Sequence, residues 1–231
     1  PTPNGENGPD SLILPRAISA DGTTVLAQPI PAGNVGTPSD NNIWIWVNGV
    51  PQMIAITRPA VPGSEVARQF TPTGMSGDGL TITGSMNSQV ALLDGATMRT
   101  YNVPRAVYWT QATGLTLFPV VSATEFVGRL GGAEAAFVNS DGSYFAVSST
   151  PIPYLPDGSR NPALRLVRAH RYSVSGGYEY LGSLGDTVSM SVSGISGAGN
   201  VIIGNTVDLA ASNLDVNGDA INVGAFRWDA A

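Results

Sequence analysis

Two short sequence anchors each recur four times along this chain, and their spacing limits the architectures open to it more than any other feature. The first anchor is a polar residue, an Asp-Gly-like turn and then a β-branched run: ISADGTTVLA from Ile18, MSGDGLTITG from Met75, VNSDGSYFAV from Val138 and ISGAGNVIIG from Ile195. The second is an apolar strand closing on a large aromatic residue: NIWIW at Trp46, RAVYW at Trp109, RAHRY at Tyr172 and GAFRW at Trp228. Ser19, Ser76, Asn139 and Ser196 lie 57, 63 and 57 residues apart, and passing through the chain ends from Ser196 back to Ser19 gives 231 − 196 + 19 = 54. The period therefore closes on the chain length. A fixed period of this size marks repeated supersecondary units, each of which buries its apolar face only against its neighbours.

Each unit reads as strands. Apolar residues alternate or form short runs, and Gly, Pro, Asn or Asp interrupts them about every ten residues, which is a period of two with turn signals and not the 3.6 of a helix. In order, a strand A precedes the Asp-Gly turn, B follows it, C ends in the aromatic residue, and D follows a short polar turn, as in VNGVPQMIAI, TQATGLTLFP and SVSGGYEYLG. The fourth C strand, AFRWDAA, has no D strand after it, whereas SLIL at 11–14 precedes the first A strand. The expected fold is all-β: a four-bladed β-propeller of four-stranded blades, closed by the N-terminal strand (residues 11–14) completing the last blade. The repeats span approximately 15–57, 70–121, 134–183 and 189–231 plus 11–14, within a single domain over 1–231. A β-sandwich with coincidental repeats is the alternative, and a parallel β-helix is disfavoured because its coils are much shorter.

Composition then removes function classes. All 11 basic residues are Arg and Lys is absent, so Schiff-base chemistry and a Walker-type phosphate loop are out. There is no Cys, which removes disulfides, thiolate nucleophiles and Cys-ligated metals. A net charge of −6 without lysine is unsuited to neutralising nucleic-acid phosphates or docking on anionic lipid. No run of about 18 apolar residues reads as a membrane span. The opening PTPNGENGPD reads as a flexible lead-in.

At these same anchors the chain resembles the bacterial extracellular repeats of the HAF family, named for a His-Ala-Phe triplet. The resemblance is carried by GAFRW at Gly224 to Trp228, with Gly in place of the His, by YEYLGSLGD at Tyr178 to Asp186, and by the ISADG and ISGAG turns. NIWIW and RAHRY depart from the family's AFRW pattern. It implies an extracellular or cell-surface bacterial protein, in some cases part of an autotransporter-like chain, and carries over no enzyme activity. SADGTT at Ser19 to Thr24 is superficially like the sialidase Asp box, but Gly22 follows Asp21 directly and no Trp closes the motif.

Long segments fall between B and C, at 27–42, 86–104, 149–164 and 206–223, so four loops are expected on one face of the scaffold, the usual place for binding residues. Within them Tyr101, Tyr154, Arg160 and Asp208 stand outside the repeat consensus and are the candidate ligand contacts, the ligand being a protein or a glycan. Asp40, Asp94, Asp157 and Asp208 are the carboxylates that a polysaccharide hydrolase would need at the tunnel mouth. Asp215, Asn217 and Asp219 alternate around Gly218 like the first half of a calcium loop, although Phe226 stands where the closing acid belongs; an Asn-Gly turn between strands reads the same residues without a metal. No other cofactor is indicated. His170, the only histidine, aligns with Phe226 and Trp44 and points to the same side as Tyr172, so it reads as a packed residue. No Gly-x-Ser-x-Gly elbow accompanies it. The residues thus favour an exported binding module over a hydrolase, with a structural spacer of a larger surface protein as the third reading.

Overall fold

Short β-rich runs broken by Asp-Gly and Asn-Gly turns satisfy their backbone groups most readily by pairing with the run next in sequence, and the described strands do so within each of four sheets. The computed structural model describes residues 12–30, 43–54, 64–94, 97–119, 132–150, 167–208 and 223–230. The first sheet is an antiparallel meander of β1 (Leu12–Ile18), β2 (Thr24–Ile30), β3 (Ile43–Val47) and β4 (Val50–Ile54). The second holds β5 (Ser64–Met75), β6 (Thr81–Asp94), β7 (Thr97–Thr110) and β8 (Gly114–Leu117), and the third β9 (Gly132–Val138), β10 (Tyr144–Thr150), β11 (Arg168–Ser173) and β12 (Gly177–Tyr180). The fourth has three strands among the described residues, β13 (Val188–Ile195), β14 (Val201–Asp208) and β15 (Val223–Asp229). The fold is all-β and the strand order within each sheet follows the A to D reading of the repeats.

Register is the same in each unit. Val25, Ile82, Phe145 and Ile202 face Trp46, Trp109, Tyr172 and Trp228 across the second and third strands. Because side chains alternate along a strand, each sheet has two faces, and the second and third sheets turn one to the sheet before and one to the sheet after. Three apolar clusters fill the spaces between consecutive sheets. Leu26, Ile43, Phe70, Ile82 and Val107 join the first to the second; Ala106, Tyr108, Phe118, Phe145 and Tyr172 join the second to the third; Ala146, Ala169, Met190, Ile202 and Phe226 join the third to the fourth. The repeated aromatics pack backwards: Trp109, Tyr172 and Trp228 each sit in the cluster shared with the preceding sheet.

The Asp-Gly turns form a second, polar seam. In the first, the Ser19 hydroxyl donates to Asp21 at 2.7 Å while accepting from the Thr24 amide at 2.9 Å, and Asp21 also accepts from the Thr23 amide at 3.0 Å. Ser76 and Asp78 repeat this with the amides of Thr81 and Leu80, and Asn139 and Asp141 with those of Tyr144 and Ser143. Such local side-chain bonds are why Ser, Asn and Asp favour turns over strands. The turns also bond one another: the Ala20 amide donates to the Gly77 carbonyl at 2.8 Å, Asp78 to Ser140 at 3.0 Å, and Ser140 to Gly197 at 3.1 Å.

Two expectations are corrected. Residues 12–14 do not complete the last sheet; Leu12, Ile13 and Leu14 pair with Ile30, Pro29 and Gln28 as the first half of β1. The two halves of β1 meet at a bulge between Pro15 and Ala17, where the missing backbone donor of Pro15 is tolerated. Residues 86–104 do not form a long loop either. They lengthen β6 and β7 into a hairpin paired from Thr81↔Thr110 to Asp94↔Thr97, longer than the matching pairs among the described residues of the other sheets.

Candidate functional site

Apart from the turn seam, polar and aromatic side chains cluster on the preceding-sheet face of the third sheet, where β10 and β11 lead into the segment between them. Strand alternation puts Ser149 of β10 and Arg168, His170 and Tyr172 of β11 on that face, and pairing adds Tyr178 and Tyr180 of β12 opposite Tyr172 and His170. His170 is buried and its Nδ1 lies 3.4 Å from the Ser149 hydroxyl, itself fully buried. The imidazole packs against Tyr178 and Tyr180, with ring centroids 5.6 and 5.4 Å away. Burial pulls its pKa down to about 4, against a raising hydrogen bond to the Arg168 backbone and a further lowering by the Arg168 charge. It is a neutral ring at physiological pH. Tyr178 donates to the Pro119 carbonyl at 2.9 Å, and burial with the neighbouring Tyr172 pushes its phenol well above the usual range.

Two arginines complete the cluster. Arg105 of β7 is buried and its pKa is lowered by the loss of solvent, with neighbouring Tyr178 acting in the opposite direction. Arg168 carries a buried guanidinium nitrogen, Nη1, that has no hydrogen-bond partner among the described residues. A third arginine, Arg171, points the other way and ties the third sheet to the fourth. Its guanidinium lies 4.6 Å from the Tyr144 ring centre and 5.2 Å from that of Trp228, pairs with Glu179 at 2.9 Å, and donates to the Gly199 carbonyl at 3.4 Å.

Chemically, the Ser149 and His170 pair has the atom types of an acyl-transfer dyad, but its geometry is that of packing. The hydroxyl is sealed from solvent, and the ring's other contacts are the Tyr178 and Tyr180 rings and the Arg168 backbone. The sequence reading of His170 as a packed residue agrees with this placement. The arginines at 105 and 168 were not singled out from sequence. Their signal was present, since RA opens the third strand in both RAVYW and RAHRY.

Of the ligand contacts expected from sequence, Asp208 ends β14, where it pairs with Val188 and accepts from the Thr187 hydroxyl at 2.7 Å. Tyr101 lies on β7 opposite Val90, on a strand and not in a loop. Tyr154, Arg160 and the calcium candidates Asp215, Asn217 and Asp219 fall outside the described residues, as do Asp40 and Asp157. Asp94 ends β6 opposite Thr97. Among the described residues no three His, Cys, Asp or Glu side chains group as a metal would need, and no helix is long and apolar enough to cross a membrane.

Successive antiparallel meanders packed face to face define a propeller-like all-β protein. No protein-family model matches the chain, the HAF repeats included, and no curated protein is similar to it. Among solved structures, prolyl oligopeptidase B from Galerina marginata, bound to a 25mer macrocyclization substrate, is similar at 12% identity with a TM-score of 0.50, over 94% of this chain and 31% of its own. Putative TolB from Agrobacterium tumefaciens is similar over 95% of this chain and 82% of its own, at 12% identity and a TM-score of 0.34. At such identity the likeness concerns the fold alone. The chain spans about a third of the length of that prolyl oligopeptidase.

Proposed function

We propose that this protein is an exported or surface-exposed bacterial binding module, its four sheets acting as four blades, that recognises a protein or glycan at the end where the second and third strands of each sheet join. The observation that supports it is the long β6–β7 hairpin. Its outer part, 87–104, extends the second sheet beyond the common repeat at that end and carries Tyr101. A rigid scaffold with an extended strand junction is a familiar way to present contacts. Asp208 belongs to the same end of the fourth sheet, and Tyr154 and Arg160 belong to the matching segment of the third. Replacing residues 87–104 by an Asn-Gly turn, which keeps Met86 opposite Arg105, tests the reading. Retained circular dichroism with lost binding to bacterial surface fractions or a glycan panel is expected; unchanged binding, or none by the full chain, sinks it.

Calcium held by Asp215, Asn217 and Asp219 belongs to the same proposal, and calorimetric titration of the full chain decides it. Millimolar calcium without heat removes the metal. The unbroken seam of hydrogen bonds from turn to turn, Ala20 to Gly77, Asp78 to Ser140 and Ser140 to Gly197, favours one second reading, a stiff spacer within a larger surface protein. Such a spacer would show no ligand in either assay.

A further inference from the structure

Both ends of the stack carry the halves of an interface that the molecule builds three times inside itself. Counting seven residues on from each turn residue gives Leu26, Thr83, Ala146 and Ile203, all on the face turned to the following sheet. The first three are 0% exposed and Ile203 is 51% exposed. On the third strands Ile43, Ala106 and Ala169 are buried on that same face, whereas Ala225 is exposed. The opposite face behaves likewise at the other end. Ile82, Phe145 and Ile202 are buried against the preceding sheet, while Val25 is only partly covered. Ile18 is 62% exposed, although its counterparts Met75, Val138 and Ile195 are partly buried.

The polar contacts show the same vacancy. Gly79, Gly142 and Gly199 each rest on the preceding sheet, against Thr24, Thr81 and Tyr144, but among the described residues nothing lies within 4 Å of a Cβ at Gly22. Arg171 crosses to Trp228 and to the Gly199 carbonyl of the following sheet. Its repeat counterpart, Arg227, is exposed and pairs with Asp229 on its own strand. Among the described residues no substantial packing joins the fourth sheet to the first.

We propose that the far face of the fourth sheet, Ile203, Ala225 and Arg227, docks on the near face of the first sheet, Ile18, Val25 and Trp46, of a second copy of this chain. The occupant is set by continuity with the internal interfaces. Ile203 takes the place of Ala146 against the neighbour's Val25 side, Val201 meets Gly22 as Tyr144 meets Gly199, and Arg227 reaches the Gly22 carbonyl and the Trp46 ring as Arg171 reaches Gly199 and Trp228. The Ala20 carbonyl accepts in the seam as Gly77, Ser140 and Gly197 do. Such a contact is heterologous, so two copies close as a ring of eight sheets or continue as a filament according to the rotation between them. The inference is independent of what the hairpin end binds.

Sedimentation velocity on the full chain over a range of concentrations tests it, with Ile203→Asp and Ile18→Asp as variants. Both residues are exposed, so each variant should keep the wild-type circular dichroism and unfolding midpoint, and Arg227→Glu serves in place of Ile203→Asp should that variant not fold. Wild type is expected to move to at least twice the monomer mass as concentration rises, and each variant alone to stay monomeric. Mixing the two variants leaves one intact pair of faces and should restore a species of two chains and no more. Wild type that stays monomeric up to about 100 µM overturns the proposal, as does an assembly untouched by both substitutions. Loss in either variant without rescue on mixing also overturns it, because that outcome marks a like-with-like contact.

Discussion

A methyl group placed on Gly142 would sit 2.6 Å from the Thr81 hydroxyl oxygen of the preceding sheet. The third turn is thus seated on the second sheet at hydrogen-atom distance, and the backbone there has φ +75°, a conformation that L side chains enter at a cost of about 1 kcal/mol. Gly142→Ala should therefore destabilise the fold by about 2–4 kcal/mol, adding a steric contribution to the backbone one. Gly114→Ala is the control, since φ is +65° but nothing lies within 4 Å. It should cost only about 1 kcal/mol. Equal losses for the two in urea unfolding would mean that the turn is not wedged against Thr81.

Gly84 is tight for a different reason, because its backbone is ordinary strand. A Cβ there would lie 2.5 Å from the Thr71 carbonyl and 2.6 Å from the Phe70 ring. Val147 fills the same repeat position in the third sheet, opposite Ala136. Phe70 takes in the second sheet the volume that Val147 takes in the third. Gly84→Ala and Phe70→Ala should each cost about 2–5 kcal/mol, and the double variant about 1–2 kcal/mol less than their sum. Strict additivity in the cycle would assign the whole effect at Gly84 to the Thr71 carbonyl.

The fourth turn lacks the acid of the other three, having Ala198 where Asp21, Asp78 and Asp141 stand. Ser196 still accepts from the Val201 amide at 3.0 Å but turns its own hydroxyl to Asn200. Ala198→Asp should recreate the acceptor for Ser196 and for the Asn200 amide and stabilise the protein by about 0.5–1 kcal/mol. A lower unfolding midpoint in the variant would show that Asn200 already fills that role.

These turns show what the sequence could announce. Ser19, Ser76 and Asn139 with their paired Asp and Gly carry the bonding of the turn in adjacent residues, so four meanders and their order were readable from local chemistry. What failed was long-range or mixed in signal. Thr, Asn and Ser in 86–104 look like loop residues singly, yet Val90, Leu92, Met98 and Val103 lie on two strands that support each other, and no local rule supplies the partner. SLIL at 11–14 reads as a strand of the last sheet, yet residues 12–14 continue through a bulge at Pro15 into the first strand and pair with β2. His170 was legible as packed because it aligns with Phe226 and Trp44 in the repeat and shares a strand face with Tyr172, two residues on. Arg105 was not, because its burial depends on the third sheet, whose Tyr178 reaches it across the interface.

His170 gives the fold a pH dependence with a definite sign. Its folded pKa is about 4 and its ordinary value is 6.5, the difference arising chiefly from burial. As pH falls below about 6.5 the unfolded chain takes up the proton and the folded chain does not, so stability declines through that window and levels near pH 4. The span of about 2.5 units corresponds to about 3 kcal/mol. Asp21 and Asp141 act in the same direction at lower pH. Hydrogen bonds from Ser19 and Thr23, and from Ser143 and Asn139, hold their carboxyls below the usual 3.8, so their contribution is complete above that value and is lost as pH falls through the folded ones. His170→Phe places in the third sheet the residue that the fourth carries at Phe226 and removes the titrating group. Urea midpoints measured from pH 7 to 4 should slope for wild type and run nearly flat for the variant, both falling below pH 4. Parallel slopes between pH 6.5 and 4 would show that His170 is not the group responsible.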